Sequence, residues 1–257
     1  MSKLFAGPWV GEFGWELMMW QGHIRTIAEK YDEIIVSARP GHDYFYSDFC
    51  TEFVPHKEIG QTDMELCNNR INATFPNSWK EKGYDIYLPR RFPRLKSDPN
   101  GKIFNSQTFI QYGEPQPELH YDVVIHARST DKCRTGYRNW PVTNWKELVQ
   151  RLAGLKICTI GAPDGAMAIP GVTDLRGQSI KDTCNLLASS ECVVGPSSGP
   201  MHLASLCGCT HIVLTDPCNR SRYESEWNPL STTAIVVDEE GWTPSVDRVY
   251  GAIRGAI

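Results

Sequence analysis

Short apolar runs rich in β-branched residues recur along this chain, each separated from the next by a stretch of helical period. That alternation restricts the fold to parallel sheets covered by helices. The runs 34–36, 123–126, 192–195 and 211–214 are the clearest of them. In the first half, a strand over 4–7, a turn carrying Gly7, Gly11 and Gly14, an amphipathic pattern over 16–30 and a strand over 33–38 make one βαβ unit. From 39 to 118, aromatic residues, Pro and Asn crowd together without a period, and the expectations there are a strand at 85–88 and an element over 104–111. The second half reads as strands at 123–126, 156–160, 192–195, 211–214 and 234–237, with helices at 143–152, 180–189, 199–206 and 245–253. This is a doubly wound α/β pattern. The stretch 112–119 carries Gly113, Pro115 and Pro117 just before a strong strand and reads as a linker. The expected domains are therefore 1–118 and 119–257.

Composition narrows the class. Hydrophobic residues at 41% and charged residues at 22% belong to a folded globular chain, and 257 residues allow two modest cores. A formal net charge of −4 gives no global attraction to nucleic acid, so a polyanionic partner needs a local patch. Nine cysteines, an odd and scattered set, suit reduced thiols better than a disulfide framework, and Cys207 and Cys209 lack the second pair of a zinc ribbon. With no continuous apolar run near the start and none of about 18 residues anywhere, neither a secretory leader nor a membrane span is expected. The expectation is a cytoplasmic protein.

The segment 191–208 holds the most chemistry. A buried strand ends at Gly195, Ser197 and Ser198 make the turn, and Pro200 sits near the start of a helix, where its missing N–H costs nothing. The free amides and the dipole of such a helix end favour an anion, and the serines suit N-cap positions or a phosphate oxygen. A capped core helix with no ligand satisfies the same residues. The loop after the strand at 123–126 holds Arg128, Lys132, Arg134 and Arg138 against the single acid Asp131. Loops at the carboxyl ends of parallel strands are where open α/β sheets bind ligands, so these cations are placed to meet a pyrophosphate. Near the N-terminus, Gly11 and Gly14 permit close backbone approach to a ligand at the start of a helix, and Glu12 and Glu16 flank that start. Both glutamates equally suit a helix dipole. A further patch, 88–96, carries Arg90, Arg91, Arg94 and Lys96 with Phe92 among them, suited to a solvated loop or to an anionic acceptor such as a nucleic acid.

The string containing Gly195, Ser198, Gly199, Pro200, His202 and Ala204 resembles the motif G-[DN]-[ST]-G-P-x-H-x-A of the heptosyltransferase-like glycosyltransferases, family nine of that classification. The likeness extends more thinly over the C-terminal half, through Gly161 and the stretch 174–179. Two departures stand out: Ser197 occupies the place of the family's acidic residue, and Gly14 is followed by Trp15 before Glu16.

The resemblance implies two Rossmann-like domains facing a cleft (the GT-B arrangement), the N-terminal one reduced and binding the acceptor, the C-terminal one binding a nucleotide-sugar diphosphate. It implies inverting transfer to an acceptor hydroxyl, with Glu16 or, as second choice, Glu12 as the base. Ser197, Ser198, Gly199, Arg128, Arg134 and Arg138 would meet the donor, and a protonated His202 would offset leaving-group charge. No Asp-x-Asp element occurs, so the expectation is transfer without a metal and with no cofactor beyond the donor. Two other readings use the same scaffold: a nucleotide-sugar epimerase or pyruvyl transferase, and a non-catalytic nucleotide-binding module.

Overall fold

A computed structural model describes residues 1–56, 74–89, 106–131, 135–239 and 241–257, with the backbone alone at 74–76. The chain divides into two compact units, Met1–Phe109 and Ile110–Ile257.

In the first unit, β1 (Lys3–Ala6) leads through a loop into α1 (Phe13–Trp15), a π-helical turn (Glu16–Trp20) and α2 (Gln21–Ala28), which follow one another directly. β2 (Glu33–Val36), a 3₁₀ turn (Asp43–Phe45), β3 (Glu52–Phe53), α3 (Thr74–Glu81) and β4 (Asp85–Tyr87) complete the described elements. The four strands form a parallel sheet in the order β3-β2-β1-β4. β1 pairs with β2 on one side and with β4 on the other, so the direction of winding reverses between β1 and β4. The expected strand at 85–88 is present as β4, whereas 106–111 is neither helix nor strand. That stretch is tied down by hydrogen bonds instead: the Thr108 N–H donates to Thr26 Oγ1 at 2.8 Å, and its carbonyl accepts from Arg25 Nη1 at 3.0 Å.

The second unit holds β5 (Val123–Ile125), α4 (Val142–Arg151), β6 (Ile157–Thr159), β7 (Thr173–Asp174), α5 (Ile180–Ser189) and β8 (Cys192–Pro196). It continues with α6 (Gly199–Leu206), β9 (Thr210–Thr215), a π turn (Arg222–Glu226), β10 (Ala234–Asp238) and α7 (Val246–Arg254). Its six strands are parallel, in the order β10-β9-β8-β5-β6-β7, and the winding reverses between β5 and β8. Trp145 and Leu148 of α4 and Val249 and Ile253 of α7 pack with Val123, Ile125, Val194, Ile212 and Leu214. These strand residues are buried apolar runs because helices cover a parallel sheet.

The stretch read as a linker is bonded to the second unit. The Tyr112 N–H donates to the Leu206 carbonyl at 2.8 Å, the Glu114 N–H to Asn185 Oδ1 at 2.9 Å and the Gln116 N–H to Ser189 Oγ at 2.8 Å. Two parallel sheets with their helices make this an α/β protein of the double-Rossmann class.

Candidate functional site

In an open parallel sheet the crevice for a ligand lies beyond the carboxyl ends of the two strands where the winding reverses. In the second unit these are β5 and β8, and Arg128, Arg138, Ser197 and Ser198 follow them in the chain. β8 is buried along its whole length and leaves the sheet at Pro196. Ser197 is buried, its N–H donating to the Leu214 carbonyl at 2.9 Å and its Oγ accepting from the Tyr223 hydroxyl at 2.8 Å. Ser198 is extended, and its hydroxyl donates to the Pro196 carbonyl at 2.8 Å. The expectation that either serine caps α6 is therefore corrected: no side chain caps this helix. Met201 N–H reaches back to the Ser198 carbonyl at 3.1 Å, Pro200 has no N–H, and the Gly199 amide has no acceptor among the described residues. A helix end with an unmet donor and the positive end of the dipole is a site for an anion.

His202 lies one turn into the same helix. Its side chain is buried, stacked on Tyr223 with ring centroids 4.6 Å apart and planes 3° apart, and it lies 4.9 Å from the ring of Trp227. Desolvation, with the nearby Arg222 charge second, pulls its pKa well below the ordinary value. Burial thus favours the neutral ring, where the sequence suggested a protonated one facing the diphosphate. Burial also pushes the Tyr223 phenol up to about 12, so it remains a donor to Ser197.

Arg128 is buried as well, and its guanidinium faces its own loop. Nη1 donates to the Thr130 and Thr135 carbonyls at 3.0 Å each and to Asn139 Oδ1, and Nη2 donates to Thr135 Oγ1. It shapes the loop where a direct phosphate contact was expected. Arg138 is half-buried, with its guanidinium 4.8 Å from the ring of Trp242 and 5.5 Å from that of Tyr137, itself 55% exposed. Arg134 and Lys132 lie outside the described residues, as do Arg90, Arg91, Arg94 and Lys96.

In the first unit, Gly11 is buried, and a β-carbon there would stand 2.7 Å from the Trp9 ring. Packing against Trp9 accounts for this glycine. Gly14 lies within α1. Glu12 is exposed at the N-cap position of α1, without a side-chain cap bond. Glu16, by contrast, is entirely buried. One carboxylate oxygen accepts from the Tyr46 hydroxyl at 2.7 Å, and the other lies 2.7 Å from His42 Nδ1. Both oxygens of this carboxylate are thus engaged in the interior, where the sequence suggested a base open to a substrate hydroxyl. His42, Tyr46 and Tyr223 escaped the sequence reading, because partners 26 to 30 positions apart follow no local spacing rule.

Neither a protein-family model nor a curated protein sequence matches the chain. Solved structures do. The fold is that of heptosyltransferases. The Escherichia coli ADP-heptose lipopolysaccharide heptosyltransferase II aligns over 100% of this chain and 98% of its own, with a TM-score of 0.61 at 15% identity. A family 9 glycosyl transferase of Veillonella parvula aligns over 99% and 97%, with a TM-score of 0.63 at 10% identity. The E. coli heptosyltransferase WaaC, solved with ADP, aligns over 100% of both chains, with a TM-score of 0.59 at 12% identity. A structure described as a UDP-N-acetylglucosamine 2-epimerase from Listeria monocytogenes also shares the fold, with a TM-score of 0.55 over 98% of this chain and 87% of its own at 12% identity. At such identities the heptosyltransferase likeness is one of fold. No described helix is long and apolar enough to cross a membrane, and no group of three or more metal-ligating side chains converges among the described residues.

Proposed function

We propose that this chain is a glycosyltransferase that moves a sugar from a nucleotide-sugar diphosphate to an acceptor hydroxyl, with inversion and without an obligatory metal. The observation that carries this reading is the start of α6. It lies beside the winding reversal of the second sheet, with its Gly199 amide unmet, in a chain whose whole length shares the heptosyltransferase fold. An uncapped helix end in that place binds a diphosphate and stabilises it as the leaving group. Arg138, packed on the rings of Tyr137 and Trp242, is the described cation of the neighbouring loop best suited to neutralise it. The donor acts as substrate and no separate cofactor is needed. The acceptor is a glycan hydroxyl or, through the basic stretch 90–96, a nucleic acid, and the reaction belongs in the cytoplasm.

Calorimetry with ADP and UDP tests the site. Gly199→Val places a branched side chain where the phosphate approaches the backbone and should weaken binding of either by more than about tenfold. Unchanged affinity in a folded variant would remove α6 from the donor site. The epimerase among the shared folds supports a second reading. Product analysis separates the two, since an epimerase returns an isomeric nucleotide sugar and a transferase releases the nucleotide.

A further inference from the structure

The loop after β2 carries an imidazole whose two nitrogens have different surroundings. Nδ1 of His42 lies 2.7 Å from Glu16 Oε2, and the Glu16 side chain is 0% exposed. The other Glu16 oxygen is occupied by the Tyr46 hydroxyl at 2.7 Å. A carboxylate only accepts hydrogen bonds, so Nδ1 is the nitrogen that carries the hydrogen, and in the neutral ring the lone pair lies on Nε2. Nε2 has no hydrogen-bond partner among the described residues, and the His42 side chain is 13% exposed. The rings of Phe13 and Phe45 meet it edge-on, at centroid distances of 5.7 and 6.1 Å and interplanar angles of 72° and 86°. The imidazole is therefore packed against a pair of touching aromatic rings, with a defined tautomer. Both members of the pair follow carboxyl ends of strands, Glu16 after β1 and His42 after β2, the edge at which parallel sheets bind ligands. A carboxylate is costly to bury unless it is paired and hydrogen-bonded, and here its partners are a phenol and this histidine.

We propose that His42 Nε2, rather than either glutamate, takes the proton of the acceptor hydroxyl, with Glu16 and Tyr46 as positioning residues. The inference rests on the transferase reading above and assigns its base. As the acceptor oxygen bonds to the anomeric carbon, its hydrogen passes to Nε2. The bond from the anomeric carbon to the diphosphate oxygen breaks, and its electron pair leaves with the diphosphate. The imidazolium so formed is balanced by the Glu16 carboxylate until it returns its proton to water. A histidine oriented through one nitrogen by a buried acid is a general base at the other.

The test uses the full chain, with ADP-heptose and UDP-N-acetylglucosamine as donors, water as acceptor and nucleotide release as the readout. His42→Gln should lower release by about a hundredfold or more while the affinity for ADP and UDP stays within about twofold. Glu12→Gln should leave the rate unchanged. Added imidazole should restore turnover to His42→Ala, a gain that a misfolded protein does not show. Glu16→Gln can donate to Nδ1 as well as accept from it. It should lower the rate and move the ring ¹⁵N resonances of His42 towards the Nε2–H tautomer, with nucleotide affinity unchanged. Nucleotide release that survives in His42→Gln, or is lost only in Glu12→Gln, would overturn this assignment alone. A wild type that releases nucleotide from neither sugar would overturn the transferase reading with it.

Discussion

A guanidinium at the end of a parallel strand can serve a ligand or its own loop, and Arg128 serves the loop. Its donors meet carbonyls and side chains between Thr130 and Asn139. Arg128→Ala takes a donor away from each of these half-buried acceptors and should cost about 1 to 3 kcal/mol, read by urea denaturation. Binding of ADP and of adenosine should weaken together, because the loop rather than a phosphate contact is lost. A loss confined to ADP would return the side chain to the phosphate. The same contrast sets what was legible at this scale. Gly199 and Pro200 could be read from sequence because a helix start is a property of a few adjacent backbone units. The fates of Arg128, Glu16 and His202 could not, because they depend on Asn139, His42, Tyr46 and Tyr223, which the fold alone brings near.

Among the elements, periodicity located those with enough length to show a period. α5 and α6 span Ile180–Ser189 and Gly199–Leu206, as the pattern implied, and α4 is shifted by one residue. The two-residue strands β3 and β7 have no period to detect. The π-helical turn at Glu16–Trp20 was hidden for a different reason: all five of its residues are buried, so the amphipathic contrast that would mark an extra residue is absent. The stretch 112–119 looked like a linker because prolines and glycine punctuate it, yet Gly113 is there for contact. Its φ is +82°, and a β-carbon would stand 2.3 Å from the Cys184 carbonyl oxygen. Gly154 has a similar φ of +93° and nothing within 4 Å. Gly113→Ala should therefore destabilise by about 2 to 5 kcal/mol through strain and overpacking together. Gly154→Ala carries the strain alone, about 1 to 2 kcal/mol. Equal urea midpoints for the two variants would mean that the backbone at Gly113 shifts to make room.

At the scale of the molecule, the second unit depends on histidines that stay neutral. Burial lowers His126 and His211 to about 4 each and His202 well below the ordinary value, and His23 of the first unit moves in the same direction. An unfolded histidine takes a proton near pH 6.5, so between that value and about pH 4 the unfolded chain binds more protons than the folded one. Stability is then fully present above pH 6.5 and is lost as the pH falls through this window, by about 1.4 kcal/mol per pH unit for each such ring. Asp174, which its hydrogen bond with Arg176 holds below the usual carboxylate range, contributes only below that window. Urea midpoints measured from pH 7 to pH 5 should fall steadily. A flat profile would mean that the rings are protonated in the folded protein.

The reversal of winding in each sheet also has a kinetic meaning. β1 pairs Leu4 with Asp85, and β5 pairs Val123 with Cys192, the widest sequence separations among the strand pairings of their sheets. Closing a long loop costs more entropy than closing a short one, and such contacts are slow to form. The crevice that would receive a donor is therefore bounded by the ladder that closes last, so a refolding chain regains most of its helix and strand before it regains a place to bind.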